Sequence, residues 1–154
     1  MFNRFSRAAR EVVTWAIAEA ARRGDRRVGT EHLLLGLLHD SAAASALGVT
    51  LDAARAALQS LDLEALAAVG VGVDAGELPT AAAPSTGHLP FTAAAKNTLV
   101  QTLREAVRLG SRRLEPSHLL LALLAAERPD AAVDLVARLG VDPTVVRSRL
   151  ATAA

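Results

Sequence analysis

An all-α chain built from two similar four-helix halves is what this sequence predicts, on three observations. Apolar residues fill 51% of the 154 positions but aromatics only 3%, and alanine and leucine dominate, a palette for closely packed helices rather than sheet. The chain also repeats itself: residues 5–38 and 91–124, offset by 86, agree at 15 of 34 positions, as a duplicated structural unit would. After a slip of six residues the repeat resumes, GVTLDAARAAL from Gly48 matching GVDPTVVRSRL from Gly140. Finally, HLLLGLL (32–38) and HLLLALL (118–124) are apolar nearly all round, which suits a buried helix and not a surface one.

Taken in order, the first helix of each half carries a 3.6-residue apolar period. It runs through Ala9, Val12, Val13, Ala16, Ile17 and Ala20 in one half, and through Ala95, Leu99, Leu103, Ala106 and Val107 in the other. Gly24 and Gly110 stand where a left-handed helix stop belongs. Thr92 is expected to cap the helix that follows it, and Thr30 to cap the second helix of the first half. The six-residue slip falls at the third helix, SAAASAL against AERPDAAVDLVARL, so the first half's third helix is expected to be about one turn or absent. Asp142 followed by Pro143 opens the last helix with the cap-then-proline order.

Neither half can cover its own apolar second helix, so the two are expected to pack face to face about a pseudo-twofold axis as one domain, 1–154. Repeat one spans 1–69, repeat two 91–152, and residues 70–90, rich in glycine, proline and alanine without a period, form the linker.

The formal charge of +1 provides no global field toward nucleic acid or an anionic membrane. No aromatic residues interleave with RRGDRR (22–27) or RLGSRR (108–113), which read as cations at helix C-termini. The absence of cysteine removes disulfides and thiolate metal sites and fits a reducing cytoplasm. MFNRFSRAAREVV has no apolar run, so it reads as neither signal peptide nor span. No catalytic, metal or cofactor constellation is evident. No two histidines stand four apart, no serine stands in recognisable relation to a base, and no GxxxxGK[ST] loop is present to cradle phosphate. His32 and His118, at the starts of apolar helices, are expected to bond nearby backbone groups.

The tandem of VGTEHLLLGLLH and LEPSHLLLALL, with MFNRFSRAAREVV before the first and TGHLPFTAAAK opening the second half, resembles the amino-terminal repeat domain of the Clp family of AAA+ unfoldases. The strings are most similar to the ClpC branch, although LEPSHLLLALL looks more like the disaggregase branch. The resemblance implies a docking domain without a motor, which binds substrates, adaptor proteins and, in some members, cyclic-peptide antibiotics or phosphoarginine-tagged proteins. It implies a peptide or antibiotic groove between the two first helices, formed by Phe2, Arg10, Phe91 and Lys96. That set makes chemical sense, two rings supplying apolar area and two cations supplying donors to peptide carbonyls. The competing reading makes Phe91 a staple under its own helix and the two cations ordinary solvated charges.

In phosphoarginine-binding relatives the acid of each TEH holds the guanidinium. Glu31 matches, whereas Ser117 stands at the second copy and Pro116 replaces the threonine, so one site at most is expected. The alternative for Glu31 is an acid complementing the dipole of its own helix. A free-standing protein of this kind would act as a decoy or modulator competing with the ClpC unfoldase. A phosphoarginine-substrate docking domain excised from a full-length Clp ATPase, or a scaffold with a vestigial groove, are the alternatives.

Overall fold

The computed structural model describes residues 2–70, 72 and 88–153, the side chain of Phe2 excepted. Most of the linker expected over 70–90 therefore lies outside the described residues. A short 3-10 turn, Phe2–Arg4, leads into eight helices among the described residues: α1 (Arg7–Arg23), α2 (Thr30–Leu37), α3 (Ser41–Leu47), α4 (Leu51–Ala68), α5 (Ala93–Arg108), α6 (Pro116–Ala125), α7 (Ala131–Arg138) and α8 (Pro143–Ala153). There is no strand among the described residues, and the all-α expectation holds. No described helix is long and apolar enough to cross a membrane.

The helix boundaries follow from local chemistry. Ser6 and Thr92, pseudo-equivalent residues, cap α1 and α5 by accepting the N–H of Ala9 and Ala95, each at 3.1 Å. Gly24 and Gly110 close the two first helices with positive φ of 75° and 70°, a conformation glycine adopts without a Cβ penalty. Thr30, expected as a cap, is instead the first residue of α2, with Gly29 at the cap. Its hydroxyl has a different partner: it donates to Asp130 at 3.0 Å and accepts the N–H of Ala132 at 3.2 Å. A first-half side chain thus helps to cap α7 of the second half.

The third helix of the first half also departs from expectation. It is seven residues long against eight in α7, capped by Asp40 and closed by Gly48 at φ 70°. Most of the slip lies earlier: α6 has ten residues where α2 has eight, and five residues rather than three lead on to the third helix.

Pseudo-twofold packing is written into the backbone. Phe5 pairs with Leu114 and Val28 with Phe91, each as a single parallel bridge, and 5/91 and 28/114 are repeat mates. The same hydrogen bonds recur in both: Ser6 N–H to the Leu114 carbonyl (2.9 Å) and Leu114 N–H to Arg4 (2.8 Å), mirrored by Thr92 N–H to Val28 (2.9 Å) and Val28 N–H to Pro90 (2.8 Å). Helix contacts exchange in the same way, α1 touching α6 as α5 touches α2, and α4 touching α7 as α8 touches α3. Such reciprocity is what a two-fold interface requires.

The core is one cluster drawn from both halves, with Leu33, Leu34, Leu35 and Leu37 of α2 and Leu119, Leu120 and Leu123 of α6 at its centre. Each such side chain stabilises the fold by about 2 kcal/mol relative to leaving it in water. Residues 32–38 are buried throughout, and in 118–124 only Leu121 keeps partial exposure.

Candidate functional site

On α1 the expected apolar stripe is buried, with Ile17 at its edge. On α5 the stripe has rotated. Thr98 and Thr102 are buried, their hydroxyls satisfied by the carbonyls of Ala94 (3.0 Å) and Thr98 (2.8 Å) on the preceding turn. Because these threonines carry their own hydrogen-bond partners, they fill the core face, and apolar residues of α5 are left on the other side. Val107, expected in the core, is 61% exposed; Val100 is 37% exposed, and Leu103 is only half-buried.

That surplus apolar face borders a groove of about 300 Å³ lined by Asn3, Arg4, Phe5, Leu99, Val100, Leu103 and Leu114. Its floor is the buried Phe5–Leu114 pair together with Leu99. The 3-10 turn forms one wall and α5 the other. In the repeat, Asn3 corresponds to Leu89, which is buried; an exposed polar residue takes its place at the open groove.

None of the residues singled out from sequence lines the groove. Arg10 and Lys96 are repeat mates, both exposed and each one turn beyond its helix cap. Phe91 is half-buried, held through its bridge to Val28 and packed against the core. A staple under its own helix would need an apolar fourth residue in α5, and that residue is Lys96. Phe2 opens the 3-10 turn beside Asn3, and its side chain lies outside the described residues. Sequence reasoning missed Asn3, Arg4, Val100 and Leu103. The available signal was Val100, an apolar residue off the α5 core stripe.

Glu31 occupies the first turn of α2 with its carboxylate lying back over Gly29, where a Cβ would collide with it. It stands 3.2 Å from His32 Nδ1. His32 Nδ1 accepts the Gly29 N–H at 2.8 Å, and the ring's other nitrogen donates to Asp25 at 2.7 Å. That hydrogen bond, together with Arg23, holds the Asp25 carboxyl below the usual carboxylate range against the opposing effect of burial. Arg23 also ties Asp25 to Asp62 of α4. In the second half His118 makes the same backbone bond, accepting the Glu115 N–H at 2.9 Å, and burial pushes its pKa down. The expectation that both histidines bond backbone groups is met.

Comparison with known proteins places these features in a family. The model of the Clp repeat (R) N-terminal domain matches residues 4–83 and 90–154. The chain is 34% identical, over 97% of its length, to the chloroplastic chaperone protein ClpC1 of Arabidopsis thaliana and to the chloroplastic ClpA homolog, an ATP-dependent Clp protease ATP-binding subunit, of Brassica napus. It spans only 15% and 16% of their respective lengths. Among solved structures, the N-terminal domain of the Clp-associated chaperone ClpD of Arabidopsis thaliana superposes with a TM-score of 0.76 at 23% identity, covering 99% of both chains.

Proposed function

Because the chain belongs to the Clp repeat N-terminal domain family, we propose that it is a non-catalytic docking module that takes peptide segments of substrates or adaptor proteins on behalf of a Clp unfoldase. The observation that carries this reading is the open groove between the 3-10 turn and α5, on a helix that leaves apolar side chains outside the core. In this reading Phe2, Arg10, Phe91 and Lys96 are the peptide or antibiotic contacts, and a cyclic peptide suits such a site because its conformational entropy is already restricted. In a free-standing form the module would compete with ClpC for these ligands as a decoy or modulator. We assign it to the cytoplasm; the plant relatives are named as chloroplastic.

The test is to titrate a cyclic-peptide ligand of ClpC domains against the wild type, Phe91→Ala and Arg10→Gln. Truncating a buried aromatic anchor should weaken binding about thirtyfold, and removing the exposed Arg10 charge should weaken it by less. Phe91 also packs against the core, so circular dichroism must show that its variant is folded. Arg10 has no side-chain partner among the described residues and can be changed without that complication. Absence of binding by the wild type, or equal binding by all three, would remove this site.

A further inference from the structure

The groove is apolar at its floor, Arg4 lines it on one side, and further cations stand next to its lining residues in sequence on both sides. Along α5, Lys96, Val100 and Arg104 stand at i, i+4 and i+8 and are all exposed, so they form one ridge with a cation on each side of the apolar residue. On the opposite wall, the Phe5–Leu114 bridge sets Arg4 directly across from Arg113. Backbones paired in this way lie about 5 Å apart, and side chains alternate between faces. Phe5 and Leu114 point inward at 2% exposure each, which leaves both arginines on the solvent side, where both are exposed. Like charges directly opposite each other are unfavourable unless something neutralises them.

Nothing among the described residues does so. Arg4, Lys96, Arg104 and Arg113 have no side-chain ion pair among the described residues, in contrast to Arg23, Arg55, Arg108 and Arg138. Among the described residues no acid lines the groove. The nearest candidates by sequence are engaged elsewhere: Glu105 pairs with Arg108 at 2.8 Å, and Glu105 and Glu115 both act on His118.

Resting on the peptide-docking reading above, we propose that this groove selects an acidic apolar peptide segment. One or two leucine- or phenylalanine-sized side chains sit on the floor of Phe5, Leu99, Leu103 and Leu114. Flanking carboxylates reach Arg4 and Arg113 on one wall, Lys96 and Arg104 on the other. A volume of about 300 Å³ is at the small end for ligand pockets, room for side chains of an extended or single-turn segment and not for a packed helix pair. The apolar floor and short span disfavour nucleic acid, whose backbone needs a longer run of cations.

The experiment compares fluorescein-labelled dodecapeptides of alternating glutamate and leucine, glutamine and leucine, or lysine and leucine, with an oligothymidylate strand as a further probe. The acidic peptide should bind about tenfold tighter than the glutamine peptide at about 0.05 M salt, and the preference should shrink at about 0.5 M as the exposed pairs are screened. The triple variant Arg4→Gln, Arg104→Gln, Arg113→Gln should erase that preference, weakening the acidic peptide about tenfold more than the glutamine peptide. Equal binding of the acidic and glutamine peptides overturns the acidic selection and leaves the docking reading standing. Failure of every peptide overturns both. Tighter binding of the oligothymidylate than of the acidic peptide replaces the proposal with a nucleic-acid surface.

Discussion

The first half of the molecule is braced by buried charge, and the second half, on the same backbone plan, is not. Glu19 and Arg55 have repeat mates in Glu105 and Arg147, yet only the first pair meets. Glu19 is 2% exposed and accepts from Arg55 Nε at 3.1 Å and from His39 at 2.9 Å. His39 in turn stacks flat on Trp15, ring centroids 4.1 Å apart. Burial pushes the Glu19 carboxyl up, but the hydrogen bonds from Arg55 and His39 outweigh it and hold the pKa below the usual value. In the second half His39 and Trp15 correspond to Ala125 and Gln101, so the acid has no such partners. Glu105 turns to Arg108, and Arg147 donates to the Leu124 carbonyl at 2.7 Å. A duplicated fold can keep its helix packing while one copy gives up an ion network, because shape and apolar pattern carry the architecture.

The largest effect expected from breaking this comparison is in the shared apolar core. Leu35 and Leu121 are mates, the first fully buried and the second partly exposed. Leu35→Ala should cost about 3 kcal/mol and Leu121→Ala about 1, read from urea midpoints. Equal costs would mean that the two second helices are equally enclosed.

Next comes the network itself. Glu19→Ala leaves Arg55 and His39 without their acid and should cost about 3 kcal/mol. Glu105→Ala, which removes a surface pair, should cost under about 0.5 kcal/mol. A small loss for Glu19→Ala would show that the ion network is dispensable in both halves.

Much of this architecture was legible in the sequence, for physical reasons that do not extend to the site. The repeat, the apolar second helices and the glycine stops are local patterns with one structural solution, and they placed four helices in each half. The third helix was misjudged because SAAASAL lacks large apolar residues, although alanines pack well when Asp40 and Gly48 fix both ends. The α5 face was misjudged because threonine reads as polar until its hydroxyl is seen bonded to its own helix. Ion networks such as Asp62–Arg23–Asp25–His32 join residues of three helices, α4, α1 and α2, and the α1–α2 loop, and no local pattern announces them. The groove follows from the α5 rotation, so it was hidden with it.

A smaller effect sharpens the contrast at the helix crossing. Gly36 and Ala122 are mates, and a Cβ on Gly36 would collide with the Val12 carbonyl oxygen of α1. Gly36→Ala should therefore destabilise by about 2 kcal/mol through overpacking even though alanine is the better helix former. Ala122→Gly should cost about 1 kcal/mol from helix propensity. Gain of stability in the first variant, measured by thermal unfolding, would show that α1 and α2 have room to separate.

The smallest expected effect is a pH response whose window differs between the halves. In the second half, burial lowers the folded pKa of His118, so the unfolded chain takes up a proton first as pH falls from about 6.5. Unfolding then binds protons, and His118's contribution is complete above the unfolded pKa and lost as pH drops toward the folded one. In the first half, Glu19 and Asp25 have folded pKa values below their ordinary ones. Their contribution persists above the unfolded carboxylate range, about 3.9 to 4.3, and is lost below it as they are protonated in the native state. His118→Gln should therefore flatten the stability profile between about pH 7 and 5, and Glu19→Gln should flatten it below about pH 4. Urea unfolding of the wild type and both variants across that range checks the assignment. An unchanged slope near neutrality in His118→Gln would take the second half's response away from this histidine.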